Sequence, residues 1–142
     1  MSAFILAILT GMIISKIIFN QYNSKMVLNE NNKAYFFEAG VFENTSKLNE
    51  YMSDYNSYIY IKKDNKYYAY IGITLDNYEK IQNYFDNLGY KTSVKEIGIS
   101  DKFKSKLKEY DIKLKNTDNK LDIKNILSDI LKMYEEVSHD KN

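Results

Sequence analysis

Residues 35–44 read YFFEAGVFEN, and residues 67–76 read YYAYIGITLD. Each opens on paired aromatics, alternates briefly, passes through a glycine and a β-branched residue, and turns polar. In the first, Phe37, Ala39 and Val41 share one face of a strand, and Phe36, Glu38 and Gly40 share the other. Both stretches then run into a helical stripe. After Asn44 or Thr45 as cap, Leu48, Tyr51, Met52 and Tyr55 recur at helical spacing. After Asp76 as cap, Tyr78, Ile81, Tyr84, Phe85 and Leu88 do the same, and Gly89 closes the helix.

Between the two units, SYIYIKKDNKYYAYIGI holds two alternating runs around Asp64-Asn65, a hairpin signal. TSVKEIGI supplies a last strand. Gly40 matches Gly72, and the stripe Leu48, Tyr51, Met52, Tyr55 superposes on Ile81, Tyr84, Phe85, Leu88. The order is βαββαβ, two copies of one strand–helix unit. The expected fold is therefore α+β and ferredoxin-like: an antiparallel sheet with helices on one face and the other face open.

Period-two counting keeps Phe37, Ala39, Ile59, Ile61, Ala69, Ile71 and Val94 under the helices. It sends Phe36, Glu38, Tyr58, Tyr60, Tyr68, Tyr70, Ser93 and Lys95 to the open face. So many rings on an uncovered sheet suit stacking on sugar C–H faces or on bases. Cross-strand tyrosine pairs also stabilise an exposed sheet without any ligand, and the composition supplies 14 Tyr.

Bulk composition narrows the chemistry. The chain has 142 residues, 20 Lys+Arg against 19 Asp+Glu, and a net charge of +1. It lacks the basic excess that holds a long nucleic-acid backbone, so no nucleic-acid partner is expected. Cysteine is absent and histidine occurs once, as His139. Thiolate zinc sites, multi-histidine metal sites and histidine-dependent triads cannot be assembled from one such chain. The five glycines form no phosphate-cradling loop, and no carboxylate pair is marked by a motif. A non-catalytic protein without metal or cofactor is expected.

The chain is apolar from Ala3 to Phe19, with Lys16 its one charge. That stretch spans roughly 26 Å as a helix against a hydrocarbon core of ~30 Å, and Lys16 can snorkel from one end. A cleaved signal peptide would want a basic start and a small-x-small site, and neither is evident. The expected organisation is a transmembrane anchor at 1–22, a linker at 23–33, the repeated unit at 34–99, and C-terminal helices with a tail at 100–142. Lys16 and Lys25 follow the span and no Lys or Arg precedes it, so charge asymmetry favours a cytoplasmic C-terminal side.

With these residues in hand, the sequence resembles the SPOR family, the sporulation-related repeat of bacterial envelope proteins. YFFEAGVFENTSKLNEYM matches its first strand and helix. KYYAYIGITLDNYEKIQNYFDNLGYKTSV matches the later strand, the helix ending in LGY and the outgoing strand. The resemblance covers roughly residues 33–99. It implies a ferredoxin-like fold whose open sheet face binds peptidoglycan, preferring glycan strands stripped of stem peptides, at division septa or during sporulation. It also implies an anchored protein with its domain outside the cytoplasmic membrane, the reverse of the lysine signal. The family often has Gln where this chain has Glu38, and a carboxylate accepts hydrogen bonds without donating them. The implied glycan-binding residues are Glu38, Tyr68 and Tyr70, joined by Tyr58, Tyr60 and Lys95 from the face count.

Beyond Ile99, one stripe runs through Phe103, Leu107, Tyr110 and Leu114. A second runs through Leu127, Ile130, Leu131, Tyr134 and Val137. Packing on the domain is their expected role; pairing with each other, or docking a protein partner through the second stripe, are the alternatives. Two alternatives to glycan binding stand. One is an envelope scaffold subunit that has lost its glycan. The other is an RRM-like single-strand binder, whose basic aromatic motif YYAYIGIT lacks.

Overall fold

The structure, a computed structural model, describes residues 32–139. The expected anchor at 1–22 and nearly all of the linker at 23–33 lie outside the described residues. Among those described, no helix is long and apolar enough to cross a membrane.

The described residues form an α+β fold, a four-stranded antiparallel sheet with four helices. The order is β1 (Lys33–Phe42), α1 (Thr45–Met52), β2 (Ile59–Lys63), β3 (Lys66–Thr74), α2 (Tyr78–Asn87), β4 (Ser93–Gly98), α3 (Asp101–Asn116) and α4 (Lys120–His139). Across the sheet the strands lie β2-β3-β1-β4, every neighbour antiparallel.

Local chemistry sets the punctuation. The Asn44 side chain accepts from the Lys47 N–H at 2.8 Å and starts α1. Asp64 and Asn65 both adopt positive φ, 53° and 63°, the conformation of a two-residue hairpin turn whose twist matches its strands. Gly89 at φ +81° ends α2. There the Tyr90 N–H reaches the Phe85 carbonyl and the Gly89 N–H the Asp86 carbonyl, each at 3.0 Å, the paired bonds of a Schellman motif. Ser100 caps α3 through the Phe103 N–H at 3.1 Å.

The repeat has a packing meaning. A Cβ on Gly40 would meet the Phe42 ring at 2.7 Å, and one on Gly72 would meet the Phe85 ring at 3.0 Å. Each matched glycine makes room for an aromatic ring on the face that carries α1 and α2.

Adjacent residues of a strand point to opposite faces, and Phe36 and Phe37 are both fully buried. Phe37 meets α2, with ring centroids 5.5 Å from Phe85 and 6.1 Å from Tyr78. Phe36 meets Tyr70 and Tyr134, each at 5.4 Å and edge-to-face, and Tyr134 meets Phe103 at 5.0 Å. The expected one-sided arrangement is thereby corrected, because α4 covers part of the face expected to be open. Its Leu127 also lies 3.7 Å from where a Gly72 Cβ would stand, on the Phe85 side. A helix can touch both faces here because β2 pairs with β3 only as far as Tyr70, leaving Ile71–Thr74 without a strand on that side. Those four residues are all buried, so α4 protects an edge that would otherwise invite pairing.

The C-terminal helices join the main core, as their stripes lead one to expect: Phe103, Leu107, Leu114, Ile130 and Leu131 are at most 2% exposed. Polar ties reinforce the contact. Asn32 donates to the Asp101 carboxylate, and its carbonyl accepts from Ile99 N–H at 2.9 Å. Lys80 of α2 donates to the Leu114 carbonyl at 2.7 Å, satisfying the end of α3.

Asp111 of α3, 5% exposed, accepts four hydrogen bonds from the β3–α2 connection. Oδ1 takes the Thr74 hydroxyl and the Leu75 N–H, and Oδ2 takes the Asp76 N–H and the Asn77 side-chain amide. Asp76, the expected cap of α2, serves as one of these donors, and Asn77 stands at the N-cap without a side-chain capping bond.

Candidate functional site: the sheet face and a cleft behind it

The ladders assign each expected site residue to a face. Glu38 pairs with Tyr70 on one side and Ser93 on the other, and Lys95 pairs with Phe36. Directly opposed residues share a face, so Glu38, Tyr70, Ser93, Lys95 and Phe36 belong together. Register shifts between Phe37 and Glu38 and between Glu38 and Gly40 break the simple alternation of β1. They bring Val41, paired with Tyr68, onto this same face and send Gly40 and Phe42 to the helix-covered one.

Tyr58 and Tyr60 do not join them, a correction to the face count. Tyr60 pairs with Ala69, whereas Ile59 pairs with Tyr70 and Ile61 with Tyr68. Tyr60 instead packs its ring 5.6 Å from Tyr67, itself paired with Phe42, which lies 5.3 Å from Tyr51 of α1. Tyr58 donates to the Asn49 side chain of α1 at 3.1 Å. The cause is the two-residue turn: it pairs each even-numbered residue of β2 with an odd-numbered residue of β3. Tyr60 and Tyr70 therefore cannot share a face.

Tyr70 reaches the expected face but is not available on it. It is 6% exposed beneath the Phe36–Tyr134 cluster. Burial, then the nearby Glu38 carboxylate, raises its phenol far above the ordinary range. What stays accessible is a strip of Glu38, Tyr68, Val41, Ser93 and Lys95. Tyr68 and Glu38 are half-buried, Val41 is 43% exposed, and Ser93 and Lys95 are exposed. Burial raises the Glu38 pKa while the Lys95 ammonium pulls it back. The strip offers one ring, one carboxylate acceptor, an ammonium donor and a hydroxyl. Such a set can exchange hydrogen bonds with hydroxyl and amide groups of a ligand.

A second concavity, missed by the sequence reading, lies on the opposite side of the sheet. It is a cleft of about 340 Å³ between the α1–β2 loop, the C-terminal half of α2 and the first turns of α4. Tyr55, Tyr84, Phe85 and Tyr90 form its aromatic lining, and Asp54 and Lys124 its charged groups. Tyr55 and Tyr90 rings sit 4.6 Å apart. Burial raises Tyr84, and burial together with a hydrogen bond to Tyr51 pushes Tyr55 up to about 12, so both phenols are neutral at ordinary pH. The sequence signal was available in the α2 stripe, where Tyr84 falls beside the core position Phe85. It becomes a wall only because α4 docks opposite.

No family model matches the chain, nor does any curated protein or solved structure.

Proposed function

We propose that this protein is a membrane-anchored, non-catalytic module that binds peptidoglycan glycan strands through the strip around Tyr68 and acts at division or sporulation sites. The observation that carries the reading is that Glu38, Ser93 and Lys95 stay accessible beside Tyr70 and Phe36, on the same face of the four-stranded antiparallel sheet as the half-buried Tyr68. A sugar ring stacks on Tyr68, Glu38 accepts from hydroxyls, and Lys95 and Ser93 donate to hydroxyl or acetamido oxygens. Residues 3–19 supply the anchor, with the domain on the extracytoplasmic side.

The test is co-sedimentation of the detergent-solubilised full chain with purified sacculi, intact and amidase-treated. Preferential retention on the stripped strands, lost in Tyr68→Ala and Lys95→Ala variants of native circular dichroism, supports the reading. Equal or absent retention of the folded chain on both preparations refutes it.

The scaffold reading is favoured by a different observation. Ile112 of α3 and Leu121 of α4 are 60% and 61% exposed, and α4 already occupies the Phe36–Tyr70 end of the sheet face. In that case partner binding goes through the helical pair.

A further inference from the structure

The cleft behind the sheet is built like a small-molecule site, and its residues take no part in the strip around Tyr68. We propose that it binds a single pyranose unit, a sugar ring packed against one aromatic wall with its hydroxyl edge toward Asp54 and Lys124. This second saccharide site stands independently of the sheet-face reading.

Three features select that ligand class. The first is size, because about 340 Å³ falls at the low end of the ~300–1,000 Å³ typical of ligand pockets, room for one or two rings. The second is the wall. Tyr55 and Tyr90 stand 4.6 Å apart with their planes inclined at 40°, and Phe85 lies 6.2 Å from Tyr90 and 5.4 Å from Tyr84. The three tyrosines, each half-buried, form one continuous wall for the C–H groups of a saturated ring, with the buried Phe85 behind them.

The third is the polar edge. Asp54 accepts, Lys124 donates, and Asn56 and Ser57 do both, all lining the same cleft. A pyranose presents the matching mixture of hydroxyl donors and acceptors around its rim.

The rival occupant of an aromatic cage is a quaternary ammonium. Lys124 opposes it, since a cation seated against the rings would share the cleft with an ammonium whose charge Asp54 only balances. A flat apolar ligand would strip water from Asp54 and Lys124 without replacing it. Docking of α4 completes the site, because Leu127 and Lys124 line the side facing α2.

The experiment is isothermal titration of the full chain in a polyoxyethylene detergent, which carries neither sugar nor choline. The ligands are N-acetylglucosamine, glucose and choline chloride. At least one of the two sugars should bind saturably and choline should not. Tyr84→Leu, a half-buried ring, and Lys124→Met, an exposed side chain, should each weaken sugar binding about tenfold or more, whereas Lys66→Ala, an exposed hairpin side chain outside both sites, should leave it unchanged. Sacculus retention should be lost in Tyr68→Ala and kept in the two cleft variants, so failure of this site and failure of the sheet-face strip are read separately. The proposal is overturned by any of three results with folded protein: no saturable heat from either sugar at tens of millimolar, saturable choline binding, or sugar affinity indifferent to both cleft variants.

Discussion

Replacing Asp111 by Asn should destabilise the protein nearly as much as replacing it by Ala. The carboxylate is 5% exposed and both its oxygens face only donors: Thr74 and Leu75 on Oδ1, Asp76 and Asn77 on Oδ2. Asparagine keeps the shape and one acceptor oxygen, but whichever way the amide turns its NH₂ takes the acceptor from one backbone N–H, that of Leu75 or that of Asp76, which cannot reorient. An unsatisfied buried group costs ~1–3 kcal/mol. Thr74 is fully buried, whereas the Leu75 and Asp76 amides sit nearer the surface where water can take part of the loss. Roughly 3 kcal/mol is therefore expected for Asp111→Asn and somewhat more for Asp111→Ala. For a domain of this size that is a fall in Tm of about 10 °C.

Thermal unfolding followed by circular dichroism, with urea titration for the free energy, gives the measurement. A cycle with Thr74→Val should show coupling of about 1 kcal/mol or more, since the two side chains share one hydrogen bond. An Asp111→Asn variant within ~0.5 kcal/mol of wild type, the spread of ordinary surface substitutions, would refute the claim that this carboxylate clamps α3 onto the β3–α2 connection.

Much of this architecture was legible in the sequence, for identifiable reasons. The helical stripes are dense enough to fix all four helices, and Asn44 and Gly89 carry capping chemistry that works over two or three residues. The hairpin at Asp64-Asn65 was equally visible. Its consequence for Tyr60 was also available, because a two-residue turn dictates which residues oppose one another. Counting each strand separately, without that constraint, put Tyr58 and Tyr60 on the wrong side. The burial of Tyr70 was not legible in the same way. It depends on where α4 settles, and period-two counting within the sheet says nothing about a helix contributed from 50 or more residues downstream. The register shifts at Glu38 went unread too, although Gly40 and Gly72 stand beside them and a glycine inside a strand is a bulge signal.

Four further outcomes follow from the packing. Tyr70→Ala should lose several kcal/mol, as large-to-small changes at buried aromatics do at ~3–5 kcal/mol, while Tyr68→Ala stays within about 1 kcal/mol; urea titration of both checks it. Gly72→Ala should cost roughly 1–2 kcal/mol, because its methyl meets the Phe85 ring at 3.0 Å and that ring is held by Phe37 and Tyr90; additional Phe85→Leu should recover part of the loss. Removing residues 100–142 should leave no cooperative unfolding transition, since Phe36, Tyr70 and the Ile71–Thr74 edge lose their cover; a sharp melt of the truncated chain would contradict it.

The fourth outcome concerns pH. Glu135 of α4 is pushed up to about 7, first by burial and then by Glu136. Its folded pKa exceeds the unfolded value, so the stability linked to it is complete below the unfolded carboxylate pKa and is lost as pH rises through about 7. From 4.5 to about 7, at ~1.4 kcal/mol per pKa unit, the loss is at most about 3.5 kcal/mol, less where solvent screens the group. Urea midpoints at pH 5 and pH 8 should differ in wild type and converge in Glu135→Gln.

The placement of α4 also constrains how any glycan can be held. A fully open sheet of this order would offer a trough across β1 and β3, with Phe36, Tyr68 and Tyr70 available together. Here the hydrophobic demand of Phe36 and Tyr70 is met by Tyr134 and its neighbours, which removes the deepest part of that trough. The accessible remainder is one ring with polar groups on the β4 side, enough surface for a sugar or two and too little for a long strand by stacking alone. Tight retention on glycan would then require more than one contact region per chain or several anchored chains on one strand, where effective concentration multiplies weak contacts. The footprint on the glycan thus separates the readings. Protection of one or two sugars on the sheet-face side fits the strip around Tyr68. A footprint that reaches Phe36 and Tyr70 would mean that α4 leaves the sheet, against the burial of Ile130 and Leu131 in the same core.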